Sequence, residues 1–277
     1  MKAKSIVILM MVCVLLLSCA TSQQRLQKKR EKDPNYQYNL GIFYINNGQP
    51  ELALKHLNNS LSLEPDSALT LVGLGLAQTM IGNLEEAVKD YNKALSLDPS
   101  LAEAHNYLGS VYQEMGMLDK AEQEFLKAAT NEKYHSRELP FYNLARLYLL
   151  KENNEKAFEY IQRSLEFNEK LVMSLNLYAV ICENFKKFDA AIDYYKKALK
   201  LAPDEINIKF NLAGAYLKNS DYYNAEKFLL EIEPIVEDPE LKKNIKNYLK
   251  IIEENKKETF PIKFPPPILL DSFSVRL

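Results

Sequence analysis

The strongest constraint on the fold of this 277-residue chain is an internal repeat with a period of 34 residues. Alanines recur with spacings of 34, 34, 36, 34 and 34, and another small residue stands twelve positions before each one. Units of this length cannot bury their apolar faces alone, so they stack on their neighbours to form a continuous core. The alanines are Ala53, Ala87, Ala121, Ala157, Ala191 and Ala225, and the preceding small residues are Gly41, Gly75, Gly109, Ala145, Ala179 and Ala213.

The composition favours helices that are joined by short turns. The chain has only 8 glycines, too few for a loop-rich or all-β protein. Its 35 basic and 37 acidic residues give a net charge of -2, which lacks the basic excess of a nucleic-acid-binding protein. Six of the glycines occupy two positions of the repeat, the helix contact (Gly41, Gly75, Gly109) and the turn (Gly48, Gly82, Gly116).

The period and its residue types resemble the tetratricopeptide repeat (TPR), most clearly in the copy that begins with Leu74 and Gly75 and closes at Pro99. The resemblance implies an all-α fold, a right-handed superhelical solenoid of about six helix–turn–helix repeats with a C-terminal capping helix. The predicted repeats are 34–67, 68–101, 102–135, 138–171, 172–205 and 206–239. At the fourth position of the first helix, where the family often has Trp, they hold Gln37, Leu71, His105, Phe141, Leu175 and Lys209.

The region after the repeats divides into a helix and a tail. Asp238 and Pro239 are typical of a helix start, and four apolar residues then recur at helical spacing, so residues 239–256 are predicted to form the capping helix. The tail, residues 257–277, is apolar and contains three consecutive prolines, which favour an extended conformation. It is a docking arm, a segment that folds back on the solenoid, or a frayed end.

The N-terminus has the pattern of an export signal. Lys2 and Lys4 precede an apolar run, which makes residues 1–18 a predicted signal peptide. The sequence Leu-Leu-Ser-Cys that ends at Cys19 resembles the lipobox of bacterial lipoproteins, in which the cysteine is acylated, with palmitate among the acyl chains. Residues 19–33 would then be the lipidated cysteine and a polar tether. Because Ala20 follows Cys19, analogy with Gram-negative lipoproteins favours the outer membrane; the alternative is a plain signal peptide.

The sequence indicates binding rather than catalysis. Each of its three histidines, His56, His105 and His135, lies in a different repeat and has no His or Cys at metal-ligand spacing. Neither a catalytic nor a phosphate-binding motif occurs. We therefore expect no enzymatic activity, no cofactor, no metal and no small-molecule substrate, but a protein partner.

The TPR resemblance also implies where that partner binds. In the family, positions 2, 5, 9, 12 and 13 of the first helix line the concave face, and asparagines at position 6 could bind a peptide backbone. Repeat three is polar at these concave positions, with Glu103 and Glu114 among them. The predicted groove residues are Tyr38, Ile42, Val72, Leu76, Met80, Tyr142, Arg146, Leu149, Phe210 and Leu217, together with Asn39, Asn143 and Asn211.

A lipidated cysteine followed by about six TPRs resembles the pilotins of type IV pilus systems, the PilF/PilW family. The irregular junction from Tyr134 to Pro140 occurs at the corresponding place in that family. The resemblance implies an outer-membrane, periplasm-facing lipoprotein that assists a secretin subunit in localisation and assembly during pilus biogenesis. The alternative function is a general cell-envelope scaffold, an adaptor for peptidoglycan enzymes or for outer-membrane protein assembly.

Overall fold

The computed structural model describes residues 29–255 and the isolated residue 267. The predicted signal peptide, Cys19, most of the tether and all but one residue of the tail therefore lie outside the described residues. Among the helices that are described, none combines the length and the apolar character needed to cross a bilayer.

Within residues 34–255 the structure has thirteen helices; the first twelve are the first and second helices of six consecutive repeats, and one further helix follows them. The chain divides into two compact units, unit 1 (Met1–Met115) and unit 2 (Gly116–Leu277), so the boundary falls in the turn of repeat three. The helices are α1 (Pro34–Asn46), α2 (Pro50–Leu63), α3 (Ala68–Met80), α4 (Leu84–Leu97), α5 (Ala102–Glu114), α6 (Leu118–Thr130), α7 (Glu138–Leu150), α8 (Asn154–Phe167), α9 (Val172–Asn184), α10 (Phe188–Leu201), α11 (Ile206–Lys218), α12 (Tyr222–Ile232) and α13 (Pro239–Asn255).

Local sequence explains where several helices begin. The Asp33 side chain accepts hydrogen bonds from the backbone N–H groups of Asn35 and Tyr36, and proline follows it in the first turn of α1. Asp238 does the same for α13, where its carboxylate accepts from the N–H of Leu241 at 2.6 Å. Such side chains satisfy donors that have no partner inside the helix.

The turn within each hairpin uses a left-handed residue at one fixed position. Gly48, Gly82 and Gly116 have φ values of 66°, 78° and 74° there. In the last three repeats the same position keeps a positive φ without glycine: Glu152 (56°), Lys186 (57°) and Ser220 (60°). The turn geometry therefore persists although the non-glycine residues cost about 1 kcal/mol each in this conformation.

In unit 1, glycine allows the two helices of a hairpin to approach closely. A Cβ atom at Gly75 would lie 2.7 Å from Cε1 of the fully buried Tyr91 ring, and one at Gly41 would lie 2.5 Å from Cγ of Leu57. Unit 2 has Ala145, Ala179 and Ala213 at this position, all fully buried.

Buried hydroxyl pairs join consecutive repeats at two equivalent places. In unit 1 the Ser60 hydroxyl donates to the carbonyl oxygen of Pro34 at 2.9 Å and is hydrogen-bonded to the Thr70 hydroxyl at 3.2 Å. In unit 2, Ser164 donates to the carbonyl oxygen of Glu138 at 2.8 Å and is hydrogen-bonded to the Ser174 hydroxyl at 2.7 Å. Each serine thus finds partners for a polar group that would otherwise be costly to bury.

The irregular junction between repeats three and four is held by Arg137. Its Nε donates to the carbonyl oxygen of Ala129 at 2.9 Å, and its guanidinium carbon lies 4.6 Å from the centroid of the Phe167 ring. The inserted residues therefore have a packing role in unit 2.

The terminal helix α13 is described from Pro239 to Asn255, and the predicted last residue, 256, lies outside the described residues. It buries Ile245, Tyr248 and Ile252 against unit 2. The Tyr248 ring stacks on Phe210 of α11 with centroids 5.0 Å apart and planes 5° apart. The predicted capping helix thus covers a residue that was also predicted to line the groove.

Candidate protein-binding surfaces

In unit 1, five predicted groove residues and Leu69, at the second position of α3, form an apolar surface that is partly open to solvent. Leu69 and Met80, at the two ends of α3, are 54% and 40% exposed. Val72 and Leu76 follow Leu69 at helical spacing and are nearly buried, so they form the base of the same face. Tyr38 and Ile42 of α1 pack against this cluster and remain half-buried. We refer to Tyr38, Ile42, Leu69, Val72, Leu76 and Met80 as the unit 1 groove.

Tyr38 is also affected by the acidic helix α5. Burial, and to a smaller extent the Glu103 carboxylate, raise the pKa of the Tyr38 phenol.

Acidic side chains border the groove on α5. Glu103 is exposed and accepts a hydrogen bond from the Tyr107 hydroxyl at 3.0 Å, and Glu114 is exposed at the other end of the helix. The two glutamates are eleven residues apart, which places them on the same helical face. The groove thus has an apolar base and one acidic wall. Asn39 lies on α1 and is exposed.

In unit 2, most of the predicted groove residues are not open, which corrects the sequence-based assignment. Tyr142, Phe210 and Leu217 are 1%, 2% and 2% exposed, so they belong to the core. Only Arg146 and Leu149 of the predicted set remain half-buried in this unit. The Arg146 guanidinium carbon lies 5.8 Å from the Tyr142 ring centroid, within the range of a cation–π contact.

In repeat six, the predicted concave positions are covered by the terminal helix α13. Besides stacking on Phe210, the Tyr248 side chain approaches Gly214, where an added Cβ would lie 3.2 Å from Oη. Phe210 and Gly214 are the fifth and ninth positions of α11, both predicted to be concave. A tyrosine of the terminal helix therefore occupies the space that a ligand would need at these two positions.

The predicted asparagine contacts to a bound peptide are also corrected in unit 2. Asn211 donates from Nδ2 to Oδ1 of Asn176 at 3.2 Å, and both side chains are buried. Asn143 is buried as well. Asn143 and Asn211 therefore take part in internal packing, and of the three predicted asparagines only Asn39 is accessible to a ligand.

One buried carboxylate was missed by the sequence analysis. Glu183, at the twelfth position of α9, accepts a hydrogen bond from the Tyr195 hydroxyl at 2.6 Å and forms an ion pair with Lys218. Burial and this carboxylate raise the pKa of the Tyr195 phenol. The repeat pattern could have indicated this ion pair. Glu183 and Lys218 are 35 residues apart, close to one repeat period, so they lie at neighbouring positions of consecutive repeats.

The described residues offer little that suggests catalysis. No group of three or more His, Cys, Asp or Glu side chains in the described ranges is placed to hold a metal ion. Cys182 is buried, and burial raises the pKa of its thiol to about 11. A thiol in this environment is a weak nucleophile at neutral pH.

Comparison with known protein families agrees with this geometry. A tetratricopeptide repeat model matches residues 34–67, 102–134 and 140–171. A TPR repeat model matches 79–116, and a further tetratricopeptide repeat model matches 185–243. Together these segments cover more than half of the chain.

A curated relative is the photosystem I assembly protein Ycf3 of Cyanophora paradoxa, which is 31% identical over 87 residues. The match covers 26% of this chain and 50% of the relative, so the chain spans about half the length of the curated relative that it matches.

The solved structures that are similar in fold include two from type IV pilus systems. PilF of Pseudomonas aeruginosa has a TM-score of 0.70 and 21% identity, covering 79% of this chain and 99% of that one. PilW, described as a widely conserved type IV pilus biogenesis factor, has a TM-score of 0.67 and 17% identity, with coverage of 76% and 97%. YrrB, described as a TPR protein with an unusual peptide-binding site, has a TM-score of 0.52 and 23% identity, with coverage of 69% and 97%.

These likenesses confirm the predicted all-α TPR solenoid. At such low identities they bear on the fold alone. The hairpins of the described residues, the family matches and the neighbouring structures lead to one assignment: the chain belongs to the tetratricopeptide repeat family.

Proposed function

We propose that this TPR protein is a lipid-anchored, periplasm-facing outer-membrane protein that assists a secretin subunit in localisation and assembly during type IV pilus biogenesis. The observation that carries the proposal is the open apolar surface of the unit 1 groove. A solvent-exposed apolar surface with a polar border is typical of a site where another protein binds. The fold likeness to PilF and PilW, which extends over nearly their whole chains, supports the choice of pathway.

The shape of the groove favours an extended or helical segment of the partner. Its apolar side chains come from two consecutive first helices, α1 and α3, so they follow one another along one strip. A segment with apolar residues at regular spacing can contact such a strip through a few anchors. The proposed ligand is therefore an apolar segment of the secretin subunit.

The groove is best tested by adding charge to an exposed position. Met80→Glu places a carboxylate on the apolar strip, and the protein should stay folded because the side chain faces solvent. We expect secretin multimers to fall by about fivefold or more, which corresponds to the loss of one good anchor. The measurement is the multimer level in cells, with a deletion strain as the reference.

Leu97→Glu is the matched control. Leu97 is as exposed as Met80 but lies on α4, a second helix of the hairpin, so this variant should keep multimers within about twofold of wild type. Normal multimers and pili in the deletion strain would exclude the pilus role. Multimers that depend on the protein but not on Met80 would exclude the groove. Tyr142→Ala is unsuitable for this test, since it removes a ring from the core.

The anchor and the partner can be tested separately. Labelling with radioactive palmitate should mark the wild-type protein and not Cys19→Ala, and the labelled protein should fractionate with the outer membrane. A photo-crosslinking residue at position 69, followed by mass spectrometry, should capture a secretin subunit. Capture of a peptidoglycan enzyme or of an outer-membrane assembly protein instead would favour the general scaffold of the sequence analysis.

A further inference from the structure

A pocket of about 440 Å³ lies in unit 2 away from the concave positions. Its base is apolar and consists of Leu199, Leu212 and Phe228, from α10, α11 and α12. Its rim includes the lysines 196, 200 and 209. This volume is in the range of pockets that take small ligands or single large side chains, about 300–1,000 Å³.

The repeat lattice explains why there is space here. Lys209 occupies the fourth position of α11, where repeats two, four and five place the buried apolar residues Leu71, Phe141 and Leu175. In repeat four the Phe141 ring fills the equivalent place and stacks on Tyr160 and Phe167, with centroid distances of 6.3 and 5.5 Å.

In repeat six the apolar ring is missing, and the Lys209 ammonium is directed instead to Glu231, at 2.6 Å. Phe228, which is the equivalent of Tyr160, remains as an apolar wall. The pocket thus keeps a wall, Phe228, against which an apolar ring packs in repeat four, and no apolar side chain of the described residues fills the space.

The charges around the pocket are unbalanced toward positive. Glu231 forms an ion pair with Lys209. The remaining charged lining residues are one acid, Asp204, and two lysines, Lys196 and Lys200. Neither Lys196 nor Lys200 has a carboxylate within ion-pair distance among the described residues. The Lys196 ammonium lies 5.4 Å from the Tyr216 ring centroid.

We propose that this pocket is a second binding site, which takes a large apolar side chain flanked by acidic residues in a peptide segment of a partner protein. The side chain would fill the place that Phe141 fills in repeat four, and the flanking carboxylates would lie near Lys196 and Lys200. Opposite charges at such a rim give orientation and specificity.

The full-length protein can be titrated with the peptide acetyl-Glu-Phe-Glu-amide and, as its uncharged counterpart, acetyl-Gln-Phe-Gln-amide. We expect saturable binding of the acidic peptide, measured by NMR or calorimetry, and at least about fivefold weaker binding of the uncharged one. Lys209→Phe should weaken binding of the acidic peptide by about tenfold or more, because the new ring occupies the pocket as Phe141 does.

Lys200→Glu changes the charge of the rim without filling the pocket, and it should weaken binding of the acidic peptide by about fivefold. The control is Lys227→Glu, an exposed lysine of α12 that does not line the pocket, for which affinity should change by less than about twofold. Circular dichroism checks that each variant is folded. Absence of saturable binding, equal binding of the two peptides, or full binding by folded Lys209→Phe would overturn the proposal. Met80→Glu should have no effect here, so this site and the unit 1 groove can fail independently.

Discussion

Leu69 of unit 1 and Met173 of unit 2 stand at the same second position of their repeats, yet one is half exposed and the other is buried. The contrast holds at part of the concave positions: Tyr38 and Ile42 of unit 1 are half-buried, whereas Tyr142 and Phe210 of unit 2 are buried. In unit 2, Tyr248 stacks on Phe210, and the Asn176–Asn211 and Glu183–Lys218 pairs satisfy polar side chains internally. The same repeat can thus be a binding surface or a core, depending on what packs against it.

The largest expected effect on stability is that of removing the Phe210 ring. Phe210→Ala should lower the free energy of unfolding of unit 2 by about 3–5 kcal/mol, because it removes a buried ring and leaves Tyr248 without its stacking partner. Urea denaturation followed by circular dichroism measures this. Tyr248→Phe, which keeps the ring, is the control and should cost much less. A loss below about 1 kcal/mol for Phe210→Ala would mean that this position is open after all.

The pair Met173 and Leu69 tests the comparison directly. Met173→Ala should lower the free energy of unfolding by about 2–5 kcal/mol, as expected for a buried side chain. Leu69→Ala should change it by less than about 0.5 kcal/mol, since the Leu69 side chain already faces water. Similar losses in the two variants would contradict the difference between the units.

Gly75→Ala tests the tighter helix contact of unit 1. The new methyl group would contact the buried Tyr91 ring, and this overpacking lowers the free energy of unfolding by about 1–3 kcal/mol. The higher helix propensity of alanine offsets about 1 kcal/mol of that loss. We therefore expect a small net destabilisation in urea denaturation. Unit 2 provides the control, since Ala179→Gly should also destabilise, through helix propensity. Stabilisation by Gly75→Ala would show that Tyr91 can move.

The smallest effect is a pH dependence in unit 1. Burial and the neighbouring Glu86 carboxylate raise the pKa of Asp90 to about 6, above its value in the unfolded chain. The folded state therefore binds a proton between about pH 4 and 6 that the unfolded chain has released, so stability falls as the pH rises through this window. Repeats four to six hold aromatic residues at the same position.

Asp90→Asn should remove this slope and stabilise unit 1 at pH 7, by less than about 1 kcal/mol because the group is partly solvated. The measurement is the urea midpoint at pH 4.5 and at pH 7. Asp98 serves as a control of opposite sign: hydrogen bonds from the Ser100 side chain and backbone lower its pKa. A midpoint that is unchanged by Asp90→Asn at both pH values would refute the assignment.

Much of the fold could be predicted from local sequence patterns. The 34-residue period predicted where the pairs of helices lie, and the turn glycines marked a position that is left-handed in all six repeats. The groove as a binding site stays a prediction, but the exposure that it requires is present at Met80. That exposure is absent at Phe210 and Asn211, since partners from other elements cover both residues.

By itself, the sequence determined the repeat, its helices and the small residues at which they meet, because these depend on contacts within one period. Only the tertiary structure decided which lattice positions face solvent, because exposure depends on side chains from other repeats and from α13. Tyr248 lies 38 residues beyond Phe210, more than one period away, and no pattern within a repeat predicts their stacking. The same reason applies to the pocket at Lys209, whose walls come from three helices.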